Sequence, residues 1–190
     1  PWMEKFYSIN EDWVAEDRRK LLAFAQRVIA LRRAHPVFRR RDFYKGHPVR
    51  GMGVKDIVWL RPEGGEMTDE EWNKHYARCL GVYLAGEALT ETDERGRPVR
   101  DQNFLLLFNA HHESLPFKLP DHAGSRWCVL LDTAFEDGLA ADGIFDCGMD
   151  YDLKGRALAL LQQLNALAPD AGAALCAPET ADPRRPHEPA

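Results

Sequence analysis

The sequence predicts a mainly β chain: an antiparallel β-sandwich preceded by one amphipathic helix. Three observations carry that reading. Apolar residues recur at helical spacing near the start, from Leu21 to Leu31. Beyond Pro36 they gather instead into short runs separated by turn residues, which is the pattern of short antiparallel strands. One of those runs, Asn103-Phe104-Leu105-Leu106-Leu107-Phe108-Asn109, has a continuously apolar centre, as a strand covered on both faces would.

The helix comes first. Ser8-Ile9-Asn10-Glu11 has the capping-box pattern, and Asn10 offers a second cap. Glu11, Asp12, Glu16 and Asp17 place negative charge in the early turns, and Arg32, Arg33 and His35 place positive charge at the end, both matched to the helix dipole. Leu21, Phe24, Val28 and Leu31 form a stripe that Leu22, Ala25 and Ile29 widen. Pro36 stops it. Such a helix must bury its apolar face, and a lone helix ahead of a β-region is expected to belong to an upstream domain.

Strands are expected at Asp56–Leu60, Leu80–Leu84, Asn103–Asn109, Leu115–Leu119 and Trp127–Leu131, with shorter ones near Ile144-Phe145 and Tyr151–Leu153. Pro62-Glu63-Gly64-Gly65 is a turn, and Thr68-Asp69-Glu70-Glu71 is a second capping box opening a short helix through Trp72. The polar stretch 87–102 reads as a long hairpin loop. Segment 156–164 is ambiguous: its Leu and Ala content favours helix, its position favours a closing strand. The last 22 residues, 169–190, hold 5 of the 12 prolines and read as a disordered tail. The expected organisation is 1–36, 37–168 and 169–190.

Composition excludes several function classes. A net charge of −5 argues against nucleic acid or acidic membranes as the main partner. Residues 1–50 carry 12 Lys/Arg against 6 Asp/Glu, and the basic excess reads as a solvated helix face with its dipole-matched end. Cys79, Cys128, Cys147 and Cys176 show no C-x-x-C spacing, so neither a zinc site nor a thioredoxin-type motif is suggested, and the usage fits a reducing cytoplasm. No run reaches the roughly 18–20 apolar residues of a membrane span. There is no signal-peptide pattern, and a start at Pro1 rather than Met reads as a trimmed fragment.

Three runs in order carry a family resemblance: LLAFAQRVIALRRAHPVFRRR at 21–41, GVKDIVWLRPEGGEMTDEEW at 53–72, and NFLLLFNAHHE at 103–113 with WCVLLDTA at 127–134 downstream. Together they resemble the C-terminal region of bacterial glycogen debranching enzymes of the isoamylase type, in glycoside hydrolase family 13, over residues 8–165. The resemblance implies a parent with an N-terminal β-sandwich, a (β/α)8 barrel and a C-terminal β-sandwich. The opening helix would be the last barrel helix. The parent would hydrolyse α-1,6 branch linkages in glycogen without a cofactor. The family's catalytic Asp, Glu and second Asp sit on earlier barrel strands, so no catalytic residue carries over to this chain.

Retaining glycoside hydrolysis needs two carboxyls about 5–5.5 Å apart, rigidly held. The clusters Asp69, Glu70, Glu71 and Glu91, Asp93, Glu94 read instead as helix starts and solvated turns. Asn109, His111, His112 and Glu113 invite a metal reading, but adjacent histidines on an extended chain point to opposite faces, so a strand end leading into a turn is expected and no metal site is assigned. Asp132 and Thr133 close a strand and cap a turn. No G-x-S-x-G and no phosphate-binding glycine loop is present. Among the aromatics that could stack on sugar rings, Trp59 and Trp127 are expected in the core, and Trp72 is the candidate for glucan or interdomain contact. Expected partners are the missing domains of the parent, glycogen or another branched α-glucan through that parent, and a second copy through the exposed helix. A free glucan-binding module and a purely structural domain are the rival readings.

Overall fold

A computed structural model describes residues 16–49, 53–74, 78–121, 125–136, 138 and 143–164. The expected cap at Ser8–Glu11 and the tail at 169–190 lie outside them. Helix α1 spans Glu16–Ala34, and a 3-10 turn follows at Pro36–Arg39. The strands are β1 Ile57–Leu60, β2 Cys79–Leu84, β3 Phe104–Asn109, β4 Leu115–Lys118, β5 Arg126–Asp132, β6 Ile144–Asp146, β7 Asp150–Leu153 and β8 Ala157–Leu164. A one-turn helix, α2, spans Asp69–Trp72. Six strands pair antiparallel in the order β1-β2-β3-β8-β5-β6, and β4 and β7 form a second, two-stranded sheet. The ambiguous segment 156–164 is a strand, and it sits at the centre of the large sheet between β3 and β5.

The large sheet is covered on both faces, and the alternation of β3 shows how. Leu105 and Leu107 point to one side and pack with Phe117, Leu119, Tyr151 and Leu153 around the small sheet. Phe104, Leu106 and Phe108 point to the other, where Val37, Phe24 and Leu31 meet them. The first layer is a sandwich; the second is a helix on a sheet. Trp127 lies in the first layer, fully buried, with its indole N–H donated to Pro120 O at 3.2 Å.

Two breaks in pattern shape these layers. Gly81 on β2 faces Phe117, and a Cβ there would lie 2.6 Å from the phenyl ring, so only glycine lets β4 approach. On β5 the register against β8 shifts between Val129 and Leu131. That bulge moves Leu131 into the helix-side cluster and returns Asp132 to the side where Tyr151 hydrogen-bonds it.

The opening helix departs from expectation in one respect. It has a partner within this chain. Phe24 and Leu31 pack on the sheet, Phe24 lies beside Gly138, and Lys20 pairs with Glu136 at 2.7 Å. Leu21, Leu22, Val28 and Ile29 remain exposed at 63%, 45%, 38% and 51%. At 100° per residue the seven apolar positions spread over about half the helix circumference, wider than one flat sheet can cover. The stripe therefore divides into a sheet-facing and an outward-facing part.

The end of α1 is latched by His35, which the sequence placed at the helix end, and by Asp101, Arg40 and Asp56, which its patterns did not single out. Asp101 accepts from Val37 N–H at 3.0 Å and pairs with His35 Nδ1 at 2.9 Å. Arg40, almost fully buried, bonds Asp56 at 2.9 Å and lies 4.3 Å over the Tyr44 ring. Asp56 also accepts the backbone N–H groups of Lys45 and Gly46, which ties the chain after the helix to the start of β1.

Candidate functional site

After β1, residues 61–74 are held together by a set of local hydrogen bonds. Arg61 N–H bonds Gly65 O at 3.1 Å, and Gly64 N–H returns to Arg61 O at 3.0 Å. Gly64 and Gly65 carry φ of 90° and 85°, values that favour glycine at this turn. Met67 N–H reaches Trp59 O at 2.8 Å. The predicted capping box is formed in both directions: Glu71 N–H donates to Thr68 Oγ1, and Thr68 N–H donates to Glu71 Oε2 at 2.8 Å. Arg61 then clamps Glu71 at 3.0 Å. The bond from Thr68 N–H, followed by Arg61, holds the Glu71 carboxyl below the usual range.

This scaffold buries none of the residues of α2 and presents Trp72, 49% exposed. Trp72 meets Trp59 edge to face, with ring centroids 5.4 Å apart and planes at 78°. Trp59 is 39% exposed, which corrects its assignment to the core. The reason is position. β1 is an edge strand, and Trp59 points to the helix side of the sheet but is not part of the cluster that Phe24, Leu31 and Val37 form there. An alternating strand buries both faces only where both layers reach it.

The same loop frames a separate cavity of about 370 Å³, which neither tryptophan lines. Arg61, Lys74, Arg78 and His111 bring positive or titratable groups to it, and Glu63 and Glu71 bring negative ones. Cys79 lines it as a free thiol, which burial, helped by the charge of Glu63, pushes up to about 11. It is therefore held as the thiol at neutral pH, the less reactive form.

His111, His112 and Glu113 are arranged differently from expectation. They lie on a bend rather than on extended chain, so the two rings share a side, with centroids 4.2 Å apart. Their ligand atoms and those of Glu113 fall within 4.8 Å of one another. Buried Asn109 organises the bend: its amide donates to Glu113 O, Leu153 O and Lys154 O, and its oxygen accepts from His111 N–H at 2.9 Å. Glu113 N–H in turn donates to His111 Nδ1 at 3.2 Å, which occupies that lone pair and puts the neutral ring's proton on Nε2. His111 is thereby a turn-builder before it is a ligand.

The carboxylate clusters divide among caps, exposed positions and part-buried Glu91, which departs from the solvated turn expected of it. Asp93 caps its turn through Arg95 and Arg97 N–H groups and pairs with Arg97 at 2.7 Å. Glu91 faces buried Arg40 at 3.5 Å. Asp132 accepts from Ala134 N–H at 2.8 Å, and Thr133 Oγ1 accepts from Leu158 N–H at 2.8 Å, so these two close strand and turn as expected. No described helix is long and apolar enough to cross a membrane.

A family model described as "Isoamylase, C-terminal" matches residues 56–162, from the residue before β1 into β8. The chain is 48% identical over 125 residues to the "Glycogen operon protein GlgX homolog" of Mycobacterium tuberculosis strain H37Rv, and equally so to that of Mycobacterium bovis. That match covers 64% of this chain and 17% of each relative. The "Isoamylase" of Pseudomonas amyloderamosa is 27% identical over 154 residues, covering 76% of this chain and 18% of that protein. The chain thus spans about a sixth of the length of the relatives it matches.

Proposed function

The chain belongs to the isoamylase C-terminal family, and from that premise we propose that it is the supporting β-sandwich of a glycogen debranching enzyme. The parent hydrolyses α-1,6 branch linkages in glycogen or phosphorylase-trimmed glycogen, in the cytoplasm and without a cofactor. Its reacting carboxylates lie on the barrel, outside this chain. The contribution of these residues is mechanical: they hold the end of the barrel in place.

One observation carries this reading, the division of α1 into two apolar faces. Phe24 and Leu31 fasten it to the sandwich, and Leu21, Leu22, Val28 and Ile29 face away. A helix gripped on one side and apolar on the other is built to sit between two bodies. Burying four such side chains against the barrel stabilises the pair by about 1.5–3 kcal/mol each at full burial, which is reason enough for the domain without any chemistry of its own.

The test compares this chain with its full-length parent on phosphorylase-trimmed glycogen. Release of linear maltooligosaccharides by the parent, and none by the 190-residue chain, is expected. Debranching by this chain alone overturns the supporting role.

A further inference from the structure

We propose that the Trp59–Trp72 corner is a second α-glucan-binding platform, a place where an outer chain of the polymer rests away from the bond being cut. The proposal rests on the reading above for its ligand class and on three observations for its place.

The first is shape. Two indoles at 78° with centroids 5.4 Å apart make an inner corner, one flat wall and one edge. A glucosyl ring has an apolar face of C–H groups and a hydroxyl rim. Its face can lie on one indole while its edge rests against the other, and the indole suits such a boundary because an apolar body carries a polar N–H.

The second is rigidity without burial. The loop bearing Trp72 is fixed by the Arg61–Gly64–Gly65 turn, the Met67–Trp59 backbone bond, the reciprocal Thr68–Glu71 cap and the Arg61–Glu71 pair. Asn73 closes it by donating to Asp69 O at 2.7 Å. None of this serves to bury α2, which has no buried residue. Immobilising a side chain before a ligand arrives removes an ordering cost from binding. Two half-exposed tryptophans held in contact are a different matter from single surface apolar residues.

The third is the rim. Asp69 stands one helical turn before Trp72, on the same side of α2, and Asn73 follows it, exposed. Carboxylates and amides of this kind accept and donate to vicinal hydroxyls, whereas an interface with a protein core would favour apolar neighbours.

The experiment is affinity electrophoresis of the 190-residue chain in gels containing glycogen, with dextran as control, paired with tryptophan fluorescence titration by maltoheptaose. Retardation in glycogen and none in dextran is expected, with a fluorescence change that saturates. Trp72→Ala and Trp59→Ala should each weaken retardation at least fivefold, and Trp72→Phe should restore part of it. Circular dichroism of every variant should match the unaltered chain, since neither indole is buried. Unaltered mobility of the chain in glycogen, or full retardation of Trp72→Ala, overturns the platform. So does a lower melting midpoint of the full-length parent on Trp72→Ala with no loss of glycogen binding, because the corner then packs against the barrel. Failure of the platform is distinct from failure of the parent's assignment: a parent that debranches while this chain shows no retardation rejects only the platform, and a chain retarded in glycogen beside a parent that leaves branch points intact rejects only the assignment.

Discussion

Asp132 is almost completely buried, and a buried carboxylate persists only if its oxygens are occupied. One oxygen takes the Ala134 N–H and the other the Tyr151 hydroxyl. Burial, and then the bond to Asp132, pushes the Tyr151 hydroxyl well above the ordinary tyrosine range, so it remains a donor at any working pH. Tyr151→Phe leaves that oxygen without its partner and should destabilise the domain by about 1–3 kcal/mol. Urea denaturation measures it, and an unchanged midpoint contradicts the assignment. Asp101 contributes to the pH dependence of stability. Burial opposes its charge, but the bonds from His35, Val37 N–H and Gln102 N–H outweigh that and hold its carboxyl below the usual range. A carboxyl lowered in the folded state stabilises fully above its unfolded pKa of about 3.9 and loses that contribution as pH falls through the lower, folded value. Unfolding free energy should therefore drop below about pH 4, and more steeply in the unaltered chain than in Asp101→Asn. Denaturation midpoints between pH 5 and pH 3 would show equal slopes if the latch contributes nothing.

At the scale of elements, local chemistry and tertiary packing divide the control. The α2 cap was legible because a capping box is satisfied within four residues: Thr68 and Glu71 need no distant partner. Thr68→Ala should loosen the loop by about 1 kcal/mol and widen the Trp59–Trp72 corner, seen as a change in indole fluorescence. β8 was not legible. Leu and Ala prefer helix, yet both edges of Ala157–Leu164 are claimed, by β3 on one side and β5 on the other. Gln162 and Gln163 are carried inside with it. Gln163 accepts from Asn103 and donates to Ser125, both at 3.0 Å, so the buried amide is paired on either side. Gly81 belongs to the same class of tertiary decisions. Gly81→Ala should cost about 1–3 kcal/mol, because the added methyl meets the Phe117 ring at the sandwich interface. Thermal melting would detect it, and a gain in stability would mean that β4 can move aside.

Over the whole molecule the outward apolar face of α1 sets the association behaviour. In the isolated 190-residue chain, exposed Leu21, Leu22, Val28 and Ile29 should drive self-association. Light scattering should show a mass rising with concentration, and the Leu22→Glu, Ile29→Glu double variant should remain monomeric. A clean monomer of the unaltered chain at high concentration would count against the surface. Sequence alone determined what depends on neighbours within a few residues or on period: the helix, the turns, the capping box, the strand runs, the two-faced character of β3 and the family resemblance. Tertiary structure decided what depends on which surfaces meet. It placed β8 at the centre, turned Asp132 inward through the β5 bulge, and set His111 and His112 on one side of a bend. It also left Trp59 beside Trp72 at an edge rather than in the core. The physical reason is the same in each case: period and propensity report what a segment can bury or bond locally, and only the arrangement of layers determines which of its faces is covered.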